Sequence, residues 1–317
     1  MTQPSARRAV VRATTPEDFA DVHALADRYS RRFDGRPTHL TPHELTSMMT
    51  APGVDPQADF PLVLAEGTPV AWGAVQARPP YSEIALGYAI EPGLDAGTAR
   101  AACAALLSSL DVVATARVET LEPDPSRRAA VVVHEREPHM LAAAAGGGFA
   151  YARQVLLMSI DQSVTPTSPP VWPDGVTVRP VTLDDAAVLG ELTRDTFADH
   201  PGDNDFTDEE MAHHLAEHDA RLDISLVASD EHGSVGTVLC FESGGGGYVG
   251  VVGVRERLRG RGLGTALLRH AFQAFADDGL PVVRLHVEQE NTTGALGVYE
   301  AAGMRREYAL QIWTRPV

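Results

Sequence analysis

Arg259–Ala266 reads RGRGLGTA. Gly260, Gly262 and Gly264 alternate there with Arg259, Arg261 and Leu263, and Thr265 follows. Leu267, Leu268, Ala271, Phe272 and Phe275 then recur at three- and four-residue spacing, and Gly279 closes the run. That periodicity predicts an amphipathic helix with a glycine stop. The apolar stretch YVGVVGV, Tyr248–Val254, predicts a strand leading into it. A strand, a glycine turn and a helix start make an anion site: peptide N–H groups converge, and the helix end adds partial positive charge.

The glycine spacing narrows the choice of phosphate ligand. A P-loop needs GxxxxGK[ST], and this chain has no lysine. A dinucleotide fingerprint needs GxGxxG, and the loop falls one residue short of it. Arg-x-x-Gly-x-Gly fits, on Arg259, Gly262 and Gly264. With the preceding VGVRERL, Val252–Leu258, the loop resembles the acetyl-CoA loop of the GNAT superfamily of N-acetyltransferases. The resemblance implies acetyl-CoA as co-substrate, held by Val252, Gly253, Val254, Arg259, Gly260, Arg261, Gly262, Leu263, Gly264 and Thr265. A Cβ at Gly262 or Gly264 is expected to hold the backbone off the pyrophosphate or to demand a forbidden φ. Arg255, Arg257, Arg259 and Arg261 crowd this spot in a chain of net charge −17.

A second stretch lies downstream, LHVEQENTTGALGVYEAAGM at Leu285–Met304. It resembles the same superfamily: a strand ending in Val287, then Asn291, a helix carrying Tyr299, and Gly303 before an apolar residue. The resemblance implies that Asn291 bonds the pantetheine arm and that Tyr299 protonates the departing thiolate. Acetyl transfer needs a neutral amine, a donor for the developing oxyanion and a proton for sulfur; a peptide N–H near Val254 suits the second. In several members of the superfamily a carboxylate near the start of the strand before the loop takes the amine proton. By register that place falls on Tyr248. Glu242, Glu288 and His286 are further candidates, and ordered water is an alternative to any single base.

The two halves of the chain look alike. AVVRATTPEDFADVHALA from Ala9 and VTVRPVTLDDAAVLGELT from Val176 each predict a strand and a Thr-capped helix. A polar helix and a strand pair hinged at Glu66-Gly67 or at 231–233 follow in each, then a strand and a longer helix. Each half closes on Gly-apolar, Gly148-Phe149 and Gly303-Met304. The stretch Asp161–Gly175, rich in Pro, Ser and Thr, reads as a linker. The division is therefore 1–160, 161–175 and 176–317, a tandem duplication of a mixed α/β (α+β) unit. The resemblance implies two GNAT-like domains, each a mostly antiparallel six-to-seven-stranded sheet flanked by helices. In the first half, Ile90–Ala102 lacks the alternating glycines and places Asp95 about where Arg259 stands, while LAAAAGGGF offers Ala for Tyr299. That half is expected to keep the fold without catalysing. A degenerate first domain with an active second one, and the stretch DTFADHP at Asp195–Pro201, resemble tandem members that acetylate a cysteinyl amine.

Composition bounds the partners. Net charge −17 argues against a nucleic-acid backbone as ligand. Two distant cysteines, Cys103 and Cys240, make neither a disulfide framework nor a CxxC metal site. No signal-peptide core and no membrane-length apolar run is evident, so the cytoplasm is the expected compartment. His214-x-x-Glu217-His218 matches the H-x-x-E-H zinc-peptidase pattern, the competing hydrolase reading, although no third ligand follows. The acidic run Asp199, Asp203, Asp205, Asp208, Glu209 and Glu210 attracts a cationic amine or is a solvated face. The expected activity is N-acetyl transfer from acetyl-CoA to a small-molecule primary amine in a ternary complex, without a metal. A catalytically dead CoA-binding module is the main rival.

Overall fold

The computed structural model describes residues 9–34, 38, 40–51, 54–77, 81–198, 207–289 and 294–317. In chain order the first elements are β1 (Ala9–Ala13), α1 (Phe19–Asp34), α2 (Pro42–Met49), β2 (Pro61–Ala65) and β3 (Thr68–Ala77). Next come β4 (Glu83–Ile90), α3 (Ala96–Val118), β5 (Arg128–His134), α4 (Pro138–Gly146) and β6 (Ala150–Asp161). The remainder are β7 (Thr177–Pro180), α5 (Ala186–Phe197), α6 (Asp208–Leu215), β8 (Leu226–Asp230) and β9 (Gly233–Ser243), then β10 (Gly246–Val254), α7 (Leu263–Asp277), β11 (Val282–Glu288), α8 (Ala295–Ala301) and β12 (Arg305–Pro316).

Contacts divide the chain into two units, Met1–Gln154 with Leu310–Val317, and Val155–Ala309. These limits differ from 1–160 and 176–317 because strand pairing, not local composition, assigns the ends. Leu310–Pro316 pairs antiparallel with β5, which takes the C-terminus into the first unit. Val155–Asp161 pairs antiparallel with β11 in the second. The linker-like stretch is tied to the second unit: Gln162 N–H donates to Pro281 O at 2.9 Å, and Trp172 packs on that unit's core.

Within the first unit, β1, β2, β3 and β4 pair antiparallel in sequence, and β4 then pairs parallel with β5. In the second unit, β7, β8, β9 and β10 do the same before β10 pairs parallel with β11. The internal repeat read from sequence is thus a repeat of topology. It extends to single atoms. Arg12 grips Asp18 through two bonds of 2.6 Å, and the Asp18 carboxylate accepts the Thr15 N–H at 2.8 Å. Arg179, Asp185 and Thr182 repeat the arrangement at 2.7, 2.5 and 2.8 Å. A bidentate guanidinium and a peptide N–H both favour the ionised carboxylate.

The Arg179 bonds, followed by those of Thr182, hold the Asp185 carboxyl at about 2, against an ordinary 3.8. A depressed folded-state value contributes stability that is complete above 3.8 and is lost as pH falls toward 2. Asp185→Asn is therefore expected to unfold at lower urea than wild type at pH 7, with the gap closing between pH 4 and pH 2. Urea midpoints across that range are the measurement, and a gap independent of pH refutes the assignment.

Each unit has its own core. In the second, Leu267, Ala271, Phe272 and Phe275 of α7 are fully buried against Val283 and Leu285 of β11, as the periodicity predicts. In the first, α3 buries Ala102, Cys103, Leu106 and Leu110. At 23 residues, α3 is long and apolar enough to cross a membrane by length and composition alone, which the sequence reading did not expect.

Candidate functional site

The site grows from a parting of strands in the second unit. The parallel register of β10 with β11 comprises Gly247↔Val283 and Tyr248↔Arg284 and stops there. The reason lies two residues on. The register of β10 against β9 shifts between Val249 and Val251, so Gly250 is a bulge residue, and a bulge bends and twists its strand. A Cβ at Gly250 would stand 2.6 Å from the Phe241 ring, so the bend admits only glycine.

Beyond the bulge the ladder alternation fixes which way the peptide groups point. Arg255 N–H donates to Val235 O at 2.9 Å, so Arg255 faces β9. Alternate residues of an antiparallel strand face opposite sides, so Val252 and Val254 direct their N–H groups away from β9, to the side where β11 has departed. The result is a cavity of about 670 Å³, lined by Val252, Gly253 and Val254 on one side and His286, Val287 and Glu288 on the other. Helix α5 supplies Thr196 and Phe197 to the lining. Thr196 approaches so closely that a Cβ on Gly253 would meet its Oγ1 at 2.6 Å.

The glycine loop forms one end of this cavity. Gly260 has φ +73°, and Gly262, the residue before α7, has φ +85°. A left-handed residue at that point turns the chain so that the first N–H groups of α7 stay open. Nothing lies within 4 Å of a Cβ built on Gly260 or Gly262, so their requirement is conformational. Gly264 differs: an added Cβ finds ordinary contacts of 3.5 Å to Val298 and 3.7 Å to Val254. Its expected φ demand is absent. It lines the cavity beside Gly262, Leu263 and Thr265.

The four arginines separate into two pairs. Arg255 is neutralised by Glu191 at 2.5 Å and Asp195 at 2.9 Å, and Arg257 by Asp230. Among the described residues neither Arg259 nor Arg261 has an ion pair. Arg259 donates from Nε to Val254 O at 3.1 Å, which ties the loop back to β10. An exposed guanidinium beside open N–H groups fits a polyanion such as a pyrophosphate.

At the other end stands Tyr299, from α8. Its ring packs on the core and lines the cavity. Burial, with a smaller contribution from Tyr248, pushes its hydroxyl up to about 12, so it keeps its proton throughout the physiological range. Tyr248 stands where the strands part, and its hydroxyl lies 3.0 Å from His286 Nδ1. Burial raises the Tyr248 hydroxyl as well.

Of the residues expected to hold acetyl-CoA, Val252, Gly253, Val254, Arg259, Gly260, Gly262, Leu263, Gly264, Thr265 and Tyr299 line one cavity. Arg261 flanks it without lining it, and Asn291 lies outside the described residues. Glu242 is exposed on β9 opposite Gly247, 4.0 Å from Arg221, and does not line the cavity. Thr196 and Phe197 were not read as site residues. The stretch Asp195–Pro201 contains both, yet nothing local indicates that α5 leans over Gly253. Asp199, Asp203 and Asp205 lie outside the described residues.

The zinc reading assumed that His214 and His218 share a helix face. Helix α6 ends at Leu215, which leaves Glu217 and His218 beyond it. His214 Nδ1 is 3.0 Å from Glu217 Oε1, and no group of three or more potential ligands occurs among the described residues.

In the first unit the corresponding loop is closed by its own side chain. Asp95 is the N-cap of α3, the place Gly262 takes before α7, and not that of Arg259 as the sequence suggested. Its Oδ1 accepts the N–H groups of Gly97 and Thr98 at 3.0 Å each. The carboxylate thus occupies the N–H groups an anion would need. Asp95→Ala is expected to cost about 1 kcal/mol of first-unit stability, the usual cap penalty. Chemical denaturation checks the loss, and calorimetry with acetyl-CoA is expected to show unaltered affinity.

The model of the acetyltransferase (GNAT) family matches residues 188–304. Mycothiol acetyltransferase of Clavibacter michiganensis subsp. michiganensis is 32% identical over 178 residues, covering 55% of this chain and 58% of that protein. The mycothiol acetyltransferase of Acidothermus cellulolyticus is 32% identical over 211 residues, covering 60% and 63%. The chain thus spans roughly three fifths of the length of these curated relatives. A GCN5-related N-acetyltransferase structure from Sphaerobacter thermophilus superposes with TM-score 0.77 at 25% identity, over 98% of this chain and 96% of that one. A tandem GNAT protein from the clavulanic acid biosynthesis pathway shares the fold, with TM-score 0.67 at 15% identity over 98% of each chain.

Proposed function

We infer, from a chain that carries a GNAT acetyltransferase domain over residues 188–304, that its second unit moves an acetyl group from acetyl-CoA to the primary amine of a small molecule. The transfer is direct, with both substrates bound. One observation carries this reading: a single cavity joins an open helix start, the outward N–H groups of parted β10, and a protonated tyrosine.

Each part answers a chemical need. The α7 N-terminus with Arg259 holds a pyrophosphate, by charge and by N–H groups that water alone otherwise satisfies. Val252 and Val254 offer N–H groups to the pantetheine arm and to the thioester oxygen as it gains charge. A single preorganised donor of that kind contributes about 2.7–4 kcal/mol. Tyr299 supplies the proton for sulfur. The name of the relatives, mycothiol acetyltransferase, supports a small-molecule acceptor. Tyr248, and not a carboxylate, stands where the amine is expected to arrive, which distinguishes the acceptor end.

The test is thiol release from acetyl-CoA across a panel of primary amines, with succinyl-CoA alongside to read acyl preference. Amine-dependent release supports the reading. Binding of CoA with no release by any amine makes the unit a binding module instead.

A further inference from the structure

The base that takes the amine proton has no carboxylate to fill it: Tyr248 occupies the expected place and Glu242 does not line the cavity. One titratable pair stands where β10 and β11 part. His286 lines the cavity from β11 and is exposed to it, with Tyr248 Oη 3.0 Å from its Nδ1. The reach is possible because Tyr248 pairs with Arg284, two residues before His286 on the same face of β11. We propose that His286 is the general base of the second unit and that Tyr248 is the positioning residue that sets its tautomer, an inference that rests on the acetyl-transfer reading above.

The phenol of Tyr248 stays neutral, so its oxygen accepts a hydrogen bond from Nδ1–H. That leaves Nε2 with a free electron pair, as a base requires. The same bond also holds the imidazolium once it forms. The amine nitrogen bonds to the thioester carbonyl carbon while one of its protons passes to His286 Nε2. The carbonyl π pair moves to oxygen and returns as the C–S bond breaks. The sulfur leaves as thiolate and takes one proton, from Tyr299. One proton thus leaves nitrogen and one reaches sulfur, and solvent exchange restores imidazole and phenol.

The surroundings of His286 leave its titration to few groups. Tyr248 approaches from β10, and Tyr299 of α8 lines the same cavity. On β11 itself Glu288 and Arg284 share its face, and the Arg284 charge is taken by Glu307 of β12 at 2.9 Å. Its partner on β6 is the apolar Leu157.

The test uses the full chain with acetyl-CoA and three amines, S-methylcysteine amide, glucosamine and tyramine. The readouts are thiol release against pH and acetyl-CoA affinity by calorimetry. His286→Gln keeps an amide donor but cannot take a proton. It is expected to lower kcat about 100-fold, to leave acetyl-CoA affinity within twofold, and to abolish the acidic limb of the kcat profile that imidazole protonation produces. Added imidazole is expected to restore part of the rate. Tyr248→Phe is expected to lower kcat about tenfold while keeping a displaced acidic limb. His286→Gln with kcat within threefold of wild type and an unchanged acidic limb overturns the assignment while leaving acetyl transfer intact. Wild type that binds acetyl-CoA yet acetylates none of the amines overturns the acetyl-transfer reading, and the base falls with it.

Discussion

Tyr299→Phe is expected to lower kcat by about 10²–10⁴-fold, the range a positioned acid contributes. Phenylalanine keeps the ring that packs on the second-unit core, so folding and acetyl-CoA affinity are expected to be those of wild type. Only the hydroxyl is lost, and with it the proton for sulfur. The loss then appears in kcat and in kcat/KM alike, the pattern of an interaction made in the transition state alone. The pH dependence adds a second check. Burial places Tyr299 deprotonation near 12, and a phenol below its pKa remains a donor. Any alkaline fall of the rate well below pH 12 must therefore arise from another group, and it is expected to persist in Tyr299→Phe. A variant with undiminished kcat removes Tyr299 from the mechanism.

Gly262→Val is expected to weaken acetyl-CoA more than tenfold without unfolding the protein. Gly262 holds φ +85°, and a β-branched residue there is a conformational outlier costing on the order of 1–3 kcal/mol. Relief comes from moving the loop out of the left-handed turn, which re-aims the first N–H groups of α7. No protein atom lies within 4 Å of the new Cβ, so the core is not disturbed. The cost falls on ligand geometry, and tenfold corresponds to about 1.4 kcal/mol. Calorimetry and the urea midpoint separate the two effects. Equal affinity in variant and wild type means the loop does not hold the phosphates. Gly264→Ala, by contrast, meets only ordinary contacts within the protein, so any effect on affinity reports the ligand's own approach.

The two loops compared in one molecule sharpen this reading. Before α7 a glycine leaves the helix N-terminus open, whereas before α3 Asp95 accepts its N–H groups with an internal carboxylate. The same topology therefore carries an open anion site in one unit and a closed one in the other. Local residue choice at one N-cap makes the difference.

Much of this was written in the local sequence. Helix α7 followed from a 3.6-residue period, the strand pairs from alternation around glycine hinges, and the internal repeat from matching order. The glycine loop and Tyr299 carried chemistry that short-range spacing reveals, because a turn's φ and a helix face depend on neighbours in the chain. Strand partnership does not. Only the tertiary structure decided that Leu310–Pro316 pairs with β5, since an extended segment presents the same N–H and C=O groups to any partner. Only it decided that the bulge at Gly250 parts β10 from β11, that Thr196 leans over Gly253, and that Glu242 turns to Arg221 while His286 meets Tyr248. Those are contacts between residues distant along the chain, fixed by packing, and no local periodicity encodes them.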